Sequence, residues 1–428
     1  MKAVVVGSGG REHALVRALG RSALVSRIYA WPGSDGIFLD AIKPPDTVKD
    51  HRSFAEWANN EKVDLVVIGP ELELVEGLAD QLRANGISVF GPSREAAALE
   101  ASKIFSKQFM IEYGIPTAPA VTISSQQELS RAVSQFSPPY VLKADGLAAG
   151  KGVFICRTEE ELFSAGRDLF ERHILGKSGQ RALLEECLPG EELSVLVLTN
   201  GSQFEILPYG RDHKRLLDKN QGPNTGGMGV VAPILIPQSV KDEIKRLIVE
   251  PSVRGLQARG LFYRGILFIG VMMTPSGPRV LEYNVRWGDP EAQAILPLLD
   301  GDWAEVFKQV ADGSLSKLKW RNAGVACVVI AAEGYPDAPI KGVEISGLSP
   351  FSRSLELSAT ATDFDTEILH AGTKLIATAR GQQFVTNGGR VLNVVARAAT
   401  VESAIKQAYR NINKIHWPGM HFRRDIGQ

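Results

Sequence analysis

Two lysines bracket a stretch that is almost free of side chains, Lys143-Ala144-Asp145-Gly146-Leu147-Ala148-Ala149-Gly150-Lys151-Gly152. Small residues let backbone amides close over phosphate oxygens, and Lys143 and Lys151 bring positive charge to offset a polyphosphate. A Walker A loop places four residues between its glycines and Ser or Thr after the lysine. Here three residues separate Gly146 from Gly150, and Gly152 follows Lys151. A long solvated hairpin would have the same composition, so this stretch alone leaves phosphate binding and a plain connection equally open.

A second constellation closes an apolar run. In Leu281-Glu282-Tyr283-Asn284 a strand's alternation sends Glu282 and Asn284 to one face and Tyr283 to the other. Two adjacent oxygen ligands facing a nucleotide's phosphates are what octahedral magnesium accepts. The loop Arg286-Trp287-Gly288-Asp289-Pro290-Glu291 follows at once. A surface charge cluster is the plain alternative, but such clusters do not normally end a buried strand.

Further blocks gain meaning beside these two. Glu185-Glu186-Cys187-Leu188-Pro189-Gly190-Glu191-Glu192 places carboxylates at both ends of a connection, which by itself reads equally as a charged hinge. Asp212-His213-Lys214-Arg215 precedes Gly222-Pro223-Asn224-Thr225-Gly226-Gly227-Met228-Gly229, a glycine-dense segment with neither helix nor strand period. We read it as a substrate-enclosing loop, since long irregular loops inside compact domains are usually functional. The first loop, Gly7-Ser8-Gly9-Gly10, offers backbone N–H groups and a helix N-terminus to an anion, with Arg11 and His13 as donors beside it. The dinucleotide fingerprint G-x-G-x-x-G fails there, because Glu12 stands where the third glycine belongs and no acidic residue closes a second strand near Tyr29-Ala30. Phosphate binding without a dinucleotide, or a tight turn without a ligand, remains.

These groups need a scaffold. A chain of 428 residues exceeds one core and divides into about three or four domains. The 48 basic and 48 acidic residues cancel, so no bulk field favours nucleic acid or a membrane surface. Cys156, Cys187 and Cys327 are scattered and unpaired in sequence, which suits a reducing compartment and opposes a disulfide framework. The N-terminus runs directly into a strand, leaving no room for a signal peptide, and no apolar run approaches the ~20 residues of a membrane span. A cytoplasmic protein is expected.

Apolar strands at residues 3–6, 63–68 and 87–90, separated by helices, predict a parallel sheet covered on both faces. Ser93 is placed to cap one long helix running through Lys103 to Tyr113, which Gly114 and Pro116 terminate. Strands at 140–144, 152–156 and 182–186 with a helix at 159–172 predict a small α/β unit. A larger sheet region follows at 193–199, 203–207, 265–273 and 279–283, with a long amphipathic stretch at 240–259. Strands at 325–331 and 390–396 and a helix at 401–412 form the last unit.

The order of these blocks resembles the ATP-grasp superfamily, and within it the phosphoribosylamine–glycine ligase (glycinamide ribonucleotide synthetase) family. The resemblance covers essentially the whole chain. It rests on GSGGREHAL from Gly7, LKADGLAAGKGV from Leu142, DHKR from Asp212, GPNTGGMG from Gly222, NVRWGDPE from Asn284, HAGTK from His370 and TNGGRVL from Thr386. It implies an α/β ATP-grasp ligase with an N-terminal parallel-sheet domain, a small ATP lid, a central ATP-grasp domain and a C-terminal α+β domain. With the breaks read above, the units are 1–103 (substrate phosphate), 104–190 (with the lid at about 118–190), 191–323 (metal site) and 324–428.

The resemblance also implies site residues. Lys103 and Lys143 would contact ATP phosphates, and the flap containing Gly146, Gly150, Lys151 and Gly152 would close over them. Glu185, Glu186, Cys187 and Leu188 would line the adenine, partly through backbone groups, and Glu192 would bind the ribose hydroxyls. Glu282 and Asn284 would hold Mg²⁺ or Mn²⁺. Many relatives carry a further aspartate on the preceding strand, where this chain has Gly270 or its neighbours. The implied reaction has glycine's carboxylate attack the γ-phosphate of ATP, after which the amine of 5-phosphoribosylamine displaces phosphate from glycyl phosphate. Lys143, Arg286, Asp212 and Asp289 are the expected catalytic set. Asp212, Arg286 and Asp289 would also meet the substrates, while Gly9, Gly10 and Arg11 would hold the ribosylamine phosphate. The expected partners are ATP as co-substrate, glycine and 5-phosphoribosylamine, with no nucleic acid or membrane, in a monomer or weak dimer. The rival within the superfamily is another carboxylate–amine ligase or a bicarbonate-using carboxylase. Outside it stand a dinucleotide oxidoreductase, which Glu12 disfavours, and a nucleotide-binding module without turnover.

Overall fold

The apolar N-terminal run forms the strand Lys2–Gly7, and the helix Gly10–Gly20 follows its glycine loop. In this computed structural model, which describes residues 1–148, 151–348, 366–379 and 381–428, the first sheet is parallel throughout. Its order is Arg27–Pro32, Lys2–Gly7, Leu65–Ile68, Ser88–Phe90. Period-two alternation divides its side chains between two cores. Val4, Val6 and Val66 pack with Phe54, Leu78 and Leu82, whereas Val5, Leu65 and Val67 pack with Leu15, Leu19 and Phe307. Apolar burial on both faces is the reason these strands read as unbroken hydrophobic runs.

The single long helix expected after Ser93 is instead two, Arg94–Ala101 and Lys103–Glu112. Ser93 does cap the first, accepting from the Ala96 N–H. Ser102 leaves the helical region (φ −132°, ψ 116°), and its hydroxyl accepts from the Phe105 N–H at 3.0 Å. The same hydroxyl donates to Asp145 Oδ1 at 2.7 Å, which also accepts from the Ile104 N–H at 2.9 Å. New caps satisfy the orphan N–H groups that the break creates, so the interruption costs little. It also turns the second helix, with Lys103 at its start, toward the glycine-rich stretch.

The lid is an antiparallel sheet in the order Ala120–Ile123, Ala182–Glu186, Tyr140–Ala144, Val153–Cys156. Helices Gln126–Ala132 and Glu159–Phe170 cover it, burying Leu129 and Leu162 against Leu142 and Leu184. The central sheet, Phe204–Ile206, Glu191–Thr199, Gly265–Thr274, Gly277–Asn284, is also antiparallel. The amphipathic stretch is an interrupted helix: Gln238–Ile244, a π turn over Lys245–Val249, then Glu250–Ala258. Pro251 has no N–H to bond the carbonyl one turn back, and the wider π turn absorbs that defect.

The remaining large sheet crosses regions. Its order is Arg211–Asp212, Gly229–Ala232, Gly324–Ala331, Arg390–Ala398, Thr366–His370, antiparallel throughout. The helix Val401–Ile412, capped by Thr400, lays Ala404, Ala408 and Ile412 onto it. Two strands that follow the lid in sequence are thus completed by strands from the C-terminal unit. The glycine-dense segment is less irregular than expected: Gln221–Asn224 pairs with Arg215–Leu217, and Gly229 begins a sheet strand. Gly222 (φ +80°) and Gly229 (φ +157°) bend the backbone into these pairings. No helix among the described residues is long and apolar enough to cross a membrane.

Candidate active site

A buried carboxylate between two lysines anchors one end of the site. Lys143, on the lid strand Tyr140–Ala144, points its Nζ at Glu185 Oε2 (2.7 Å) and the Leu281 carbonyl (2.9 Å). Lys107 reaches the other oxygen of Glu185 at 3.0 Å and bonds Thr117 Oγ1 and the Ala118 carbonyl at 2.8 and 2.9 Å. Glu185 is only 3% exposed. Burial pushes its carboxyl up, but Lys143 and Lys107 outweigh burial and hold it below the usual range. Burial lowers the Lys107 ammonium, with Glu185 opposing. Lys107 was not anticipated: one turn beyond Lys103, it looks like any helix-surface lysine.

The flap residues lie beside this group. The Gly146 N–H donates to the Ser178 carbonyl at 3.1 Å, and a Cβ at Gly146 would come within 2.6 Å of Ser178 Oγ. The Lys151 N–H donates to the Ala148 carbonyl, and the Gly152 carbonyl accepts from Ala144. The Lys151 side chain is exposed. Gly150 lies outside the described residues. The Lys103 N–H bonds the Asp145 carbonyl at 3.1 Å. Past the lysine pair the chain leaves the lid with Glu186 exposed, Cys187 half-buried and Leu188 buried. Burial, with Glu186 adding to it, pushes the Cys187 thiol up.

On the strand Gly277–Asn284, Glu282 and Asn284 share a half-buried face, while Tyr283 is buried with its hydroxyl 2.6 Å from Ser252 Oγ. This is the alternation read from the sequence. Burial pushes the Glu282 carboxyl up, but Lys214, Lys103, Lys143 and Arg286 together hold it below its ordinary value. The fields of four cations from four different segments therefore bear on one carboxylate. Lys214 Nζ is 3.9 Å from Glu282 Oε1 and is ion-paired with Glu192. Burial opposes the Lys214 charge, yet Glu192, Glu282 and Asp212 raise it well above the usual lysine range. An ionised carboxylate beside an amide oxygen, with no thiolate or imidazole, is a donor set for a hard divalent cation. Across the ladder, Gly270 pairs with Glu282, so no third carboxylate comes from that position.

Arg286 is tied down on several sides. Its Nη2 lies 2.9 Å from Glu100 Oε1, its Nε 3.2 Å from Glu71 Oε2, and its Nη1 donates to the Trp287 carbonyl at 3.2 Å. Asn284 Oδ1 is 3.5 Å from Nη2. Glu100 also accepts the Val285 N–H at 2.7 Å, so one buried carboxylate fixes both Val285 and Arg286, directly after Asn284. In this conformation Arg286 orders the loop as much as it charges the site. Glu71 and Glu100 are sequence-distant from it, and no local pattern marked them.

The N-terminal loop meets the same region. Arg11 donates from Nη1 to the Trp287 carbonyl at 3.0 Å and pairs with Glu12 at 2.6 Å. Glu12 Oε2 accepts the Gly9 N–H at 2.7 Å, and a Cβ at Gly69 would fall 2.1 Å from its Oε1. The residue that spoils the dinucleotide fingerprint thus fills the space under the glycine loop. Asp289 Oδ2 would lie 3.7 Å from a Cβ on Gly9, and Asn393 Nδ2 only 2.2 Å from one on Gly10. Burial raises the Asp289 carboxyl, but Arg390 and then Arg11 hold it low. Asp212 behaves oppositely: burial and the neighbouring Glu291 push it well up. Among the described residues its Oδ1 is buried without a hydrogen-bond partner, while Glu291 accepts from Ser194 Oγ at 3.1 Å. Gly9, Gly10, Arg11, Arg286 and Asp289 are therefore adjacent, with Asp212 and Glu291 alongside.

Known proteins match the chain over its full length. The models for the phosphoribosylglycinamide synthetase N domain, ATP-grasp (A) domain and C domain match residues 1–100, 101–292 and 325–428. A phosphoribosylamine–glycine ligase of Synechocystis is 42% identical over 434 residues, covering 100% of this chain and 99% of the relative. That of Mesorhizobium japonicum is 42% identical over 433 residues, covering 100% and 98%. The crystal structure of the Thermotoga maritima phosphoribosylamine–glycine ligase superposes with a TM-score of 0.85 at 36% identity, covering 100% of both chains. The biotin carboxylase domain of Hydrogenobacter thermophilus 2-oxoglutarate carboxylase reaches 0.73 at 18% identity, covering 98% and 91%, a likeness of fold alone.

Proposed function

The chain belongs to the phosphoribosylglycinamide synthetase family, and from that premise we propose how its residues divide the work of an ATP-dependent ligase. The reaction joins glycine to 5-phospho-D-ribosylamine, giving glycinamide ribonucleotide, ADP and phosphate. A glycine carboxylate oxygen attacks the γ-phosphorus and the bond to the β-phosphate oxygen breaks, leaving glycyl phosphate and ADP. The ribosylamine nitrogen then attacks the acyl carbon, phosphate leaves, and the nitrogen gives up a proton.

The observation that carries the division is the meeting at the end of the central strand of Lys143, bonded to the Leu281 carbonyl at 2.9 Å, Lys214, 3.9 Å from Glu282 Oε1, and Arg286, 3.5 Å from Asn284 Oδ1, with Lys103 adding to the field that holds Glu282 low. Such a set, on a lid strand, a helix start, a loop and the central strand's end, surrounds a triphosphate only when the units close on one another. Lys103 and Lys143 contact the phosphates, and Glu185 with Lys107 holds Lys143 in place. Glu282 and Asn284 would hold a divalent cation, Mg²⁺ or Mn²⁺, which would supply neutralisation of phosphate charge. The flap with Gly146, Gly150, Lys151 and Gly152 covers them and keeps water from the acyl phosphate. Backbone groups of Glu185, Glu186, Cys187 and Leu188 line the adenine. Glu192 meets the ribose hydroxyls on exchanging its Lys214 contact. Asp212 and Asp289 orient glycine and the sugar amine. Arg286 adds charge beside them, and Gly9, Gly10 and Arg11 hold the ribosylamine phosphate.

We further propose the four-part division at 1–103, 104–190 with its lid at about 118–190, 191–323 and 324–428, a cytoplasmic location, and a monomer or weak dimer. The bicarbonate reading is supported only by distant likeness of fold. Phosphate release from ATP, with glycine and freshly generated phosphoribosylamine supplied singly and together, tests the reaction. Release that requires both is expected; release supported by bicarbonate in place of glycine would overturn it.

A further inference from the structure

The C-terminal unit reaches into the site at one point. Arg390, the first residue of the strand Arg390–Ala398, donates from Nη1 to the carbonyls of Gly226 (2.5 Å) and Asp289 (2.6 Å). Its Nη2 is 3.0 Å from Asp289 Oδ2. Tyr335, on the same unit, accepts the Gly226 N–H on its hydroxyl at 3.1 Å. Its ring stands where a Cβ on Gly389 would come within 2.3 Å, so only a glycine beside Arg390 leaves room for it. Both backbone polar groups of Gly226 and both the backbone and the side chain of Asp289 are thus bound by C-terminal residues.

On its other flank the loop is bound to the central unit, since the Thr225 N–H and hydroxyl both donate to the Lys214 carbonyl at 2.8 Å. Immediately after these anchors comes Gly227 (φ +105°), whose Cβ position is 2.8 Å from Asp212 Oδ1 and 2.5 Å from Pro290. Where the loop sits therefore sets the spacing between Asp212 and Asp289. We infer that Arg390 and Tyr335 are positioning residues: they clamp residues 222–229 against Asp289, so that the C-terminal unit closes the acceptor side of the site. A guanidinium suits the role, because a planar fork meets two carbonyls and a carboxylate at once where an ammonium offers a single point. The inference rests on the ligase reading for its kinetic consequence, though not for its geometry.

The full chain carrying Arg390→Gln, Arg390→Lys or Tyr335→Phe provides the test, with hydrogen exchange and steady-state kinetics read together. Exchange at residues 225–227 should rise about tenfold or more in Arg390→Gln as the clamp opens. The kcat/KM for glycine or phosphoribosylamine should fall by about tenfold to a hundredfold while the KM for ATP stays within about twofold. Arg390→Lys should recover only part of the loss, and Tyr335→Phe should show a smaller change in the same sense. If Arg390→Gln does not fold, the other two variants decide. Unchanged exchange, or a KM for ATP that rises in step with the others, would overturn the inference. A wild-type chain without glycine-dependent and ribosylamine-dependent phosphate release would instead overturn the ligase reading, and the exchange result would still decide the clamp.

Discussion

Glu185→Gln isolates the group that holds Lys143 in place. The wild-type carboxylate is 3% exposed and accepts Lys143 at 2.7 Å on one oxygen and Lys107 at 3.0 Å on the other. A neutral amide of the same shape leaves two ammonium groups roughly 6 Å apart with no anion between them. Their repulsion at an effective dielectric near 20 is about 3 kcal/mol, and removal of one partner from a buried ion pair typically costs about 3–5 kcal/mol. At roughly 2–4 °C per kcal/mol, a loss of about 3–5 kcal/mol should lower the melting temperature by about 6–20 °C. Lys107, whose charge burial already disfavours, is the group expected to lose its proton in response. Two controls sharpen the reading. Lys107→Met added to Glu185→Gln removes the surplus charge and should recover about 1–2 kcal/mol. Saturating ATP, whose triphosphate offers Lys143 a substitute anion, should raise the variant's melting temperature more than the wild type's if it binds the variant comparatively better. Differential scanning calorimetry at pH 7.5 measures both. A Glu185→Gln chain that melts with the wild type, or a double variant less stable than the single one, would refute the electrostatic account.

Acid should weaken the fold through two buried histidines. Burial, with His13 beside it, lowers His370 to about 3, and burial with Arg423 lowers His213 to about 4. The unfolded chain takes up these protons near 6.5 while the folded chain refuses them. Stability is therefore complete above 6.5 and declines as pH falls toward each folded value, by about 2 kcal/mol per histidine at pH 5. Urea unfolding at pH 8 and pH 5, compared with His370→Gln to cancel the opposing contributions of Asp212 and Glu291, should show the wild type losing more; equal losses count against it. Glu282→Gln should weaken Mn²⁺ binding in the presence of ATP by at least about tenfold, as read by the free Mn²⁺ spin-resonance signal. An unaltered isotherm would exclude Glu282 as a ligand. Gly227→Ala puts a Cβ 2.5 Å from Pro290 at φ +105°, costing about 1–3 kcal/mol, and should depress turnover with glycine and phosphoribosylamine more than it lowers the melting point. Wild-type kinetics in that variant would show that the loop tolerates the shift.

Most strands were legible because burial on one or both faces leaves a record in residue type, as at residues 3–6 and 279–283. The break at Ser102 was not, because serine is tolerated within a helix and its cap depends on Asp145, 43 residues away. Glu282 and Asn284 were legible through alternation, which needs only the strand itself. Lys107, Glu71, Glu100, Lys214 and Arg390 were not assigned roles, since a charged residue becomes a strut only through what tertiary packing brings beside it. Arg390 was noticed within a glycine-flanked block, yet nothing in that block points to Asp289 across 101 positions. The irregular reading of residues 222–229 held over 225–228 and failed at the two ends, where glycines that look like a free loop bend the chain into short paired strands.

The sheet shared between the central and C-terminal units sets an order of events during synthesis. Gly229–Ala232 is buried only once it pairs with Gly324–Ala331, about 90 residues further along the chain. At ribosomal speeds of roughly 5–20 residues per second, that strand waits about 5–20 s with no partner on one side. The N-terminal parallel sheet and the lid, whose strands come from nearby sequence, can form during that interval. The sheet that carries Asp212 is therefore the last of the large sheets a nascent chain can complete, after the N-terminal sheet, the lid and the central sheet.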